Sequence, residues 1–416
     1  MSRVDRHHHE DEPAVTGSTS EPVDLPVTRS GPFDPPELLR ELRAQCPVHR
    51  LSFPDGTEGW LVNGHSVVRE VLADARFSAR HELRGVPADQ RDRVERAAPG
   101  FFVRMDPPEH TKYRRLLTGQ FTVRRMNLLV PRIEEITEEC LDAMRRKGPP
   151  VDLVGSFAVP IPSLVICELL GVPRADRARF QSHAATAFNL EATGGQVSGA
   201  LTGINQFLGE LVRRKRIEPA DDLLSGLLAS GELTDGEATA MAFLLLVAGH
   251  ETTSNMLALG VYALLCHQDQ LALLRAEPTR ADAAVEELLR YLSIIQFGAM
   301  RVALEDVELH GHVVRAGEAL VLSLPAANRD PERFTDPDTL DLTRSAAGHL
   351  AFGHGVHQCL GQQLARVQMR IGYTMLLRRF PRLRLAIPPE DVPLRHAMAT
   401  YGVHRLPVTW KDTDDE

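Results

Sequence analysis

Phe352-Gly353-His354-Gly355-Val356-His357-Gln358-Cys359-Leu360-Gly361 is the stretch on which the reading of this chain turns. It sets one cysteine among three glycines, directly ahead of an amphipathic helix expected over Gln362 to Phe380. Gly353, Gly355 and Gly361 allow positive φ and close backbone approach, so several N–H groups can turn toward one sulfur. A helix N-terminus just behind them adds positive potential. Both effects favour thiolate over thiol, the form that a metal ligand or a nucleophile requires. No apolar face accounts for a cysteine in a glycine-rich turn. The chain's other cysteines, Cys46, Cys140, Cys167 and Cys266, read as packing residues. A single cysteine without a CxxC partner cannot hold an iron–sulfur cluster or tetrahedral zinc, but it suffices as the one axial ligand of a haem iron. Haem also needs counter-charges for its propionates, for which His110 and Arg114, at i and i+4, and Arg301 and His357 are candidates.

Upstream, Thr234 and Glu237 form a capping-box pattern, and helical periodicity then runs without proline to His267. About 33 residues at ~1.5 Å per residue make a helix of roughly 50 Å, long enough to cross the molecule. Its centre, Ala248-Gly249-His250-Glu251-Thr252-Thr253, breaks local rules by placing a glycine, an acid and two β-branched hydroxyls between apolar halves. One reading has the threonines bonding to carbonyls one turn back and Glu251 pairing with an arginine. The other has Gly249 admitting a flat group to the backbone while Glu251 and Thr252 relay protons. Glu287 and Arg290 stand at i and i+3 in the helical segment Ala284 to Leu292, a pairing that is weak evidence alone.

The rest of the chain is mostly helical, with helices expected near 37–44, 109–126, 131–146, 161–170, 174–186, 199–217 and 220–229. Strand patterns fall at 48–62, 301–323 and 383–410, and irregular stretches at 81–100 and 189–199. Residues 1 to 30 read as a flexible tail and 31 to 416 as one unit, since no composition break divides it. With 416 residues, 43% hydrophobic and 25% charged, the chain can bury a large core, which excludes a collagen-like or wholly disordered protein. The net charge of −9 argues against coating nucleic acid or an anionic membrane. Five scattered cysteines, no signal-peptide pattern in Met1 to Asp24, and no apolar run of membrane-spanning length place the expected location in the cytoplasm.

Together these stretches resemble the cytochrome P450 superfamily of haem-thiolate monooxygenases, in its soluble bacterial form. The decapeptide from Phe352 fits FGxGxHxCxG at every fixed position, Ala248 to Thr253 fits AGxETT, and Glu287 with Arg290 fits ExxR. Arg333, in Pro331-Glu332-Arg333-Phe334, fits the third member of the family's Glu-Arg-Arg network. The similarity covers nearly the whole chain after residue 30. It implies a mainly α fold with a long central helix and minor sheets, and a haem b with Cys359 as proximal ligand. Gly249, Glu251 and Thr252 would serve dioxygen and its protons on the opposite side. His110, Arg114, Arg301 and His357 would hold the propionates, while Ala248, Phe352, Gly353 and Gly361 border the macrocycle.

The same resemblance places the substrate pocket at Phe101, Phe188, Leu244, Ile295, Phe297, Met398 and Thr400. That mostly apolar set suits hydroxylation or epoxidation of a bulky small molecule in secondary-metabolite biosynthesis. No GxGxxG opening a Rossmann unit and no cluster motif accompanies the haem segment, so electrons are expected from a separate ferredoxin and its reductase. Lys112, Arg115 and Arg366 form the expected basic docking patch. The rival readings are a peroxide-using or rearranging haem-thiolate enzyme, a non-catalytic haem sensor, and a cysteine hydrolase.

Overall fold

A computed structural model describes residues 21–187, 193–297, 299–396 and 398–411. Its axis is the helix Asp235–Cys266, 32 residues long, capped as the sequence predicts. Glu237 N–H donates to Thr234 Oγ1 at 3.2 Å, and Thr234 N–H donates to Glu237 Oε2 at 2.8 Å. From Thr253 to Leu265 every residue is buried, because the helices Pro160–Leu169, Gly194–Ile217 and Gln362–Arg379 pack around this core helix. Burial on all sides, rather than one apolar stripe, is what the even apolar run dictates. Among the described residues no single helix is long and apolar enough to cross a membrane.

Six strands form the main sheet, in the order Val23–Asp24, Val48–Ser52, Glu58–Val62, Ala319–Leu322, Met300–Ala303 and Phe77–Ser78. Glu58–Val62 runs parallel to Ala319–Leu322, with Trp60 opposite Leu320, and Met300–Ala303 lies antiparallel to that strand. This pairing lifts Arg301 to the edge of the helical core. A second sheet joins Arg384–Leu385, Pro407–Thr409 and Val151–Asp152, and a hairpin pairs Val307–Leu309 with His312–Val314.

Three local expectations change. The helix read over 109–126 is two, Glu109–Thr118 and Val123–Leu128, because Thr122 accepts Arg125 N–H and starts a new helix. The irregular stretch read over 189–199 is helical from Gly194. A capping box between Thr193 and Gln196 and the buried stripe Ala200, Ile204, Phe207, Leu208 and Leu211 outweigh the poor propensity of two glycines. The tail read over 1–30 is ordered where it is described: Val23–Asp24 pairs with Leu51–Ser52, and Arg29 is held by Gln296 and the Asp34 carbonyl.

Candidate functional site

The cysteine loop closes on itself through Cys359 N–H to the Phe352 carbonyl at 2.9 Å and Gly353 N–H to the Leu350 carbonyl at 2.8 Å. Gly355, at φ +72°, lies so close to the helix His65–Ala73 that a Cβ would stand 2.4 Å from the Leu72 carbonyl oxygen. Gly353 also has positive φ, +68°, whereas Gly361 sits at −82° as the N-cap of Gln362–Arg379. The expectation that all three glycines serve positive φ therefore holds for two of them. At Gly361 a Cβ would meet nothing within 4 Å, because the residue faces a cavity.

That cavity, about 600 Å³, lies between the cysteine loop and the middle of the core helix. Cys359, Phe352, Gly353 and Gly361 form one wall, and Ala248, Gly249 and Thr252 the opposite one. Burial pushes the Cys359 thiol above its ordinary value, against the opposite pull of the Gly361 and Gln362 N–H groups and of Arg114 and Arg366. The upward direction reflects the cost of placing a charge in an apolar cavity, which those donors offset in part. A cation above the sulfur would reverse the balance.

At one end of the cavity, donors gather without an anion to receive them. His110 is 2% exposed and neither ring nitrogen has a partner, while its ring lies 4.3 Å from that of His357. Burial and the neighbouring His110, Arg301 and Arg114 push the His357 imidazole down to about 3. Arg114 donates to the Gln358 carbonyl at 2.6 Å and Arg301 to its neighbour's carbonyl at 2.8 Å, and burial lowers both guanidinium values. Buried donors in this number require an acceptor, and two carboxylates of a macrocycle would supply it. Together with a sulfur facing a mostly apolar cavity, the residues fit a haem. His81 and Arg104 line the same region and were missed by sequence reading, since the irregular stretch around them carries no periodic signal.

On the opposite wall both readings of the core-helix centre meet. Thr252 Oγ1 donates to the Ala248 carbonyl at 2.6 Å, one turn back. Glu251 faces Arg395, with Oε1 3.5 Å from Nη1, a partner that no local pattern announces. Gly249 borders the cavity, but its missing side chain also makes room for Ile166, whose Cδ1 would lie 2.7 Å from a Cβ.

Behind the cysteine loop, Glu287 and Arg290 are both fully buried and doubly bonded, at 2.7 and 2.8 Å. The third member differs from the sequence expectation. Arg344 Nε reaches Glu287 Oε1 at 3.2 Å, while Arg333 is exposed, donates to the Ala347 carbonyl and packs on Phe334. The turn after Phe334 carries Arg344 inward and leaves Arg333 outside.

Of the expected substrate residues, Phe101, Leu244 and Ile295 line the cavity. Phe297, Met398 and Thr400 lie outside its lining, although Thr400 bridges to Ile295 and so supports that wall; Phe188 falls outside the described residues. The expected basic patch is neutralised. Lys112 pairs with Glu237 at 2.7 Å, Arg115 with Glu232 at 2.5 Å, and Arg366 with Glu286.

Comparison with known proteins agrees with this geometry. A family model described as Cytochrome P450 matches residues 188–407. Cytochrome P450 105C1 of a Streptomyces species is 52% identical over 390 residues, 94% of this chain and 99% of its own. Pentalenic acid synthase of Streptomyces avermitilis is 45% identical, covering 94% and 98%, and vitamin D3 dihydroxylase of Streptomyces griseolus 43%, covering 95% and 99%. Among solved structures, cytochrome P450 MoxA from Nonomuraea recticatena superposes with a TM-score of 0.88 at 43% identity, covering 94% and 99%.

Proposed function

The chain belongs to the cytochrome P450 family of monooxygenases, and from that premise we propose that it inserts one oxygen atom, as hydroxylation or epoxidation, into a bulky and largely apolar small molecule of secondary metabolism. The observation that carries the reading is the placement of Cys359 across a 600 Å³ cavity from Gly249 and Thr252. Relatives named pentalenic acid synthase, vitamin D3 dihydroxylase and nocardicin C N-oxygenase support an oxygenation of a small molecule.

Haem b, when bound, would supply the activation of dioxygen. Cys359 Sγ would be the residue that holds its iron, with the Gly361 and Gln362 N–H groups moderating the sulfur's basicity. His110, Arg114, Arg301 and His357 would hold its propionates. At rest Thr252 donates its hydroxyl proton to the Ala248 carbonyl; turned from that carbonyl to the cavity, the hydroxyl would give up its own proton there and take another in its place. Glu251 resupplies that proton after swinging from Arg395, which holds the carboxylate in its resting place. Glu287, Arg290 and Arg344 hold the segment behind the cysteine loop, and Phe101, Leu244 and Ile295 exclude water around the substrate.

The redox partners are a ferredoxin and its reductase, and the cellular location is the cytoplasm, in keeping with five unpaired cysteines. The test is the carbon-monoxide difference spectrum of the reduced protein. A strongly red-shifted Soret band that is lost in Cys359→Ser supports the reading. A band unchanged by that substitution would assign the ligand elsewhere.

A further inference from the structure

A second cavity, about 460 Å³, opens beside the first. It is walled by Phe101, by Gly209 and Arg213 of the helix Gly194–Ile217, and by Gly236, Ala240 and Phe243 of the core helix. Phe101 lines both cavities. The core helix links them as well. Gly236, Ala240, Leu244 and Ala248 stand four apart on one face, the first two in the outer wall and the last two in the inner one. Twelve residues at ~1.5 Å each make a path of about 18 Å, and three of its four side chains are hydrogen or methyl. Gly100, at φ +91°, presses its loop on this helix, since a Cβ there would lie 2.6 Å from the Glu237 carbonyl oxygen. Phe101 is thereby fixed between the two spaces.

The outer cavity also has a charge to offer. Four cations follow one another at the end of its helix wall: Arg213, Arg214, Lys215 and Arg216. Arg214 pairs with Asp176, Lys215 with Asp222, and Arg216 with Asp235. Among the described residues Arg213 has neither an ion pair nor a hydrogen bond, and it is the one of the four that lines the cavity. The carboxylate bordering the same space, Asp235, is occupied by Arg216. An apolar trough with one uncommitted guanidinium at its outer end is complementary to an amphiphile bearing one anionic group.

We infer that this second cavity is a vestibule that takes a carboxylate-bearing apolar substrate by its anionic end at Arg213 and delivers it past Phe101 to the cavity over Cys359. The inference rests on the monooxygenase reading above and adds a substrate class and a route. Two iron-coordinating probes of matched shape test it on the ferric holoenzyme: 1-phenylimidazole, which is neutral, and 4-(imidazol-1-yl)benzoate, which carries a carboxylate. Binding is followed by rapid mixing as the Soret shift. For the carboxylate probe, Arg213→Gln should lower kon about fivefold and Arg213→Glu more than tenfold, and raised salt should erase the difference. For 1-phenylimidazole both variants should stay within about twofold of the parent. Ala240→Phe should slow both probes at least fivefold, and Phe101→Ala, which removes bulk rather than adding it, should speed both. A carboxylate probe indifferent to Arg213, or both probes indifferent to Ala240→Phe and Phe101→Ala, overturns the vestibule alone. A parent protein with no Soret response to 1-phenylimidazole overturns this inference together with the reading beneath it.

Discussion

Arg29 donates from Nε and Nη2 to the one side-chain oxygen of Gln296, at 3.0 and 2.9 Å, and joins the start of the described chain to the residue next to Ile295 of the cavity wall, 267 residues later. Its guanidinium also lies 3.7 Å over the Tyr401 ring and donates to the Asp34 carbonyl, and burial lowers it to about 10. Gln296 passes the constraint on, since its Nε2 donates to the Met398 carbonyl at 2.7 Å and its N–H to Ala399 at 2.9 Å. Arg29→Ala leaves a buried amide oxygen without its donors and should cost about 1–3 kcal/mol in urea denaturation. Because Ile295 adjoins this knot, 1-phenylimidazole affinity should fall as well. Unchanged stability and affinity would show that the segment merely lies on the surface.

The assignment of Arg344 rather than Arg333 to Glu287 separates two variants that look alike in sequence. Glu287→Ala leaves Arg290 buried without its carboxylate and should cost about 3–5 kcal/mol, with loss of haem on purification. Arg344→Ala removes one of the donors to a fully buried carboxylate and should cost about 1–3 kcal/mol. Arg333→Ala, at an exposed position, should stay within about 1 kcal/mol of the parent. Denaturation midpoints rank the three, and a larger loss for Arg333→Ala than for Arg344→Ala would restore the sequence assignment.

Why sequence named Arg333 shows where such reading stops. Glu287 and Arg290 lie one turn apart, so their meeting follows from helical geometry. Arg344 reaches Glu287 across a separation of 57 residues that takes in four strands and a short helix, and only the tertiary path decides between it and Arg333. The core helix was legible because its capping box and apolar run are local. The cysteine loop was legible because three glycines around one cysteine form a local pattern that core packing does not produce. Arg395 beside Glu251, Ile166 against Gly249 and Arg29 on Gln296 were not, since each is a long-range contact between residues whose neighbourhoods carry no pattern. The segment Gly194–Ile217 was misread at its start because two glycines spoke louder than the capping box around them.

His250 gives the fold a pH dependence. Burial, aided by the charge of Arg395, pushes its imidazole down to about 4. The folded value lies below the unfolded ~6.5, so folding favours the neutral ring. The contribution is therefore full above pH 6.5 and is lost as pH falls from about 6.5 toward 4, up to on the order of 3 kcal/mol. Urea midpoints at pH 7.5, 6.0 and 5.0 should decline more steeply for the parent than for His250→Gln. Parallel curves would mean that the ring's proton is not what the acid limb reports.

Gly249 has two reasons to be glycine, and one pair of substitutions tells them apart. Gly249→Ala sets a methyl 2.7 Å from Ile166 Cδ1, the far end of a side chain that can turn. Overpacking of this kind should cost about 1–3 kcal/mol. Ile166→Val removes the obstructing methyl, so the double variant should recover most of the stability lost by Gly249→Ala, a coupling that a thermodynamic cycle measures directly. Stability restored alongside monooxygenase turnover would make helix packing the whole reason for the glycine. Stability restored while turnover stays depressed would show that the backbone of Gly249 must also remain open to the cavity that it lines.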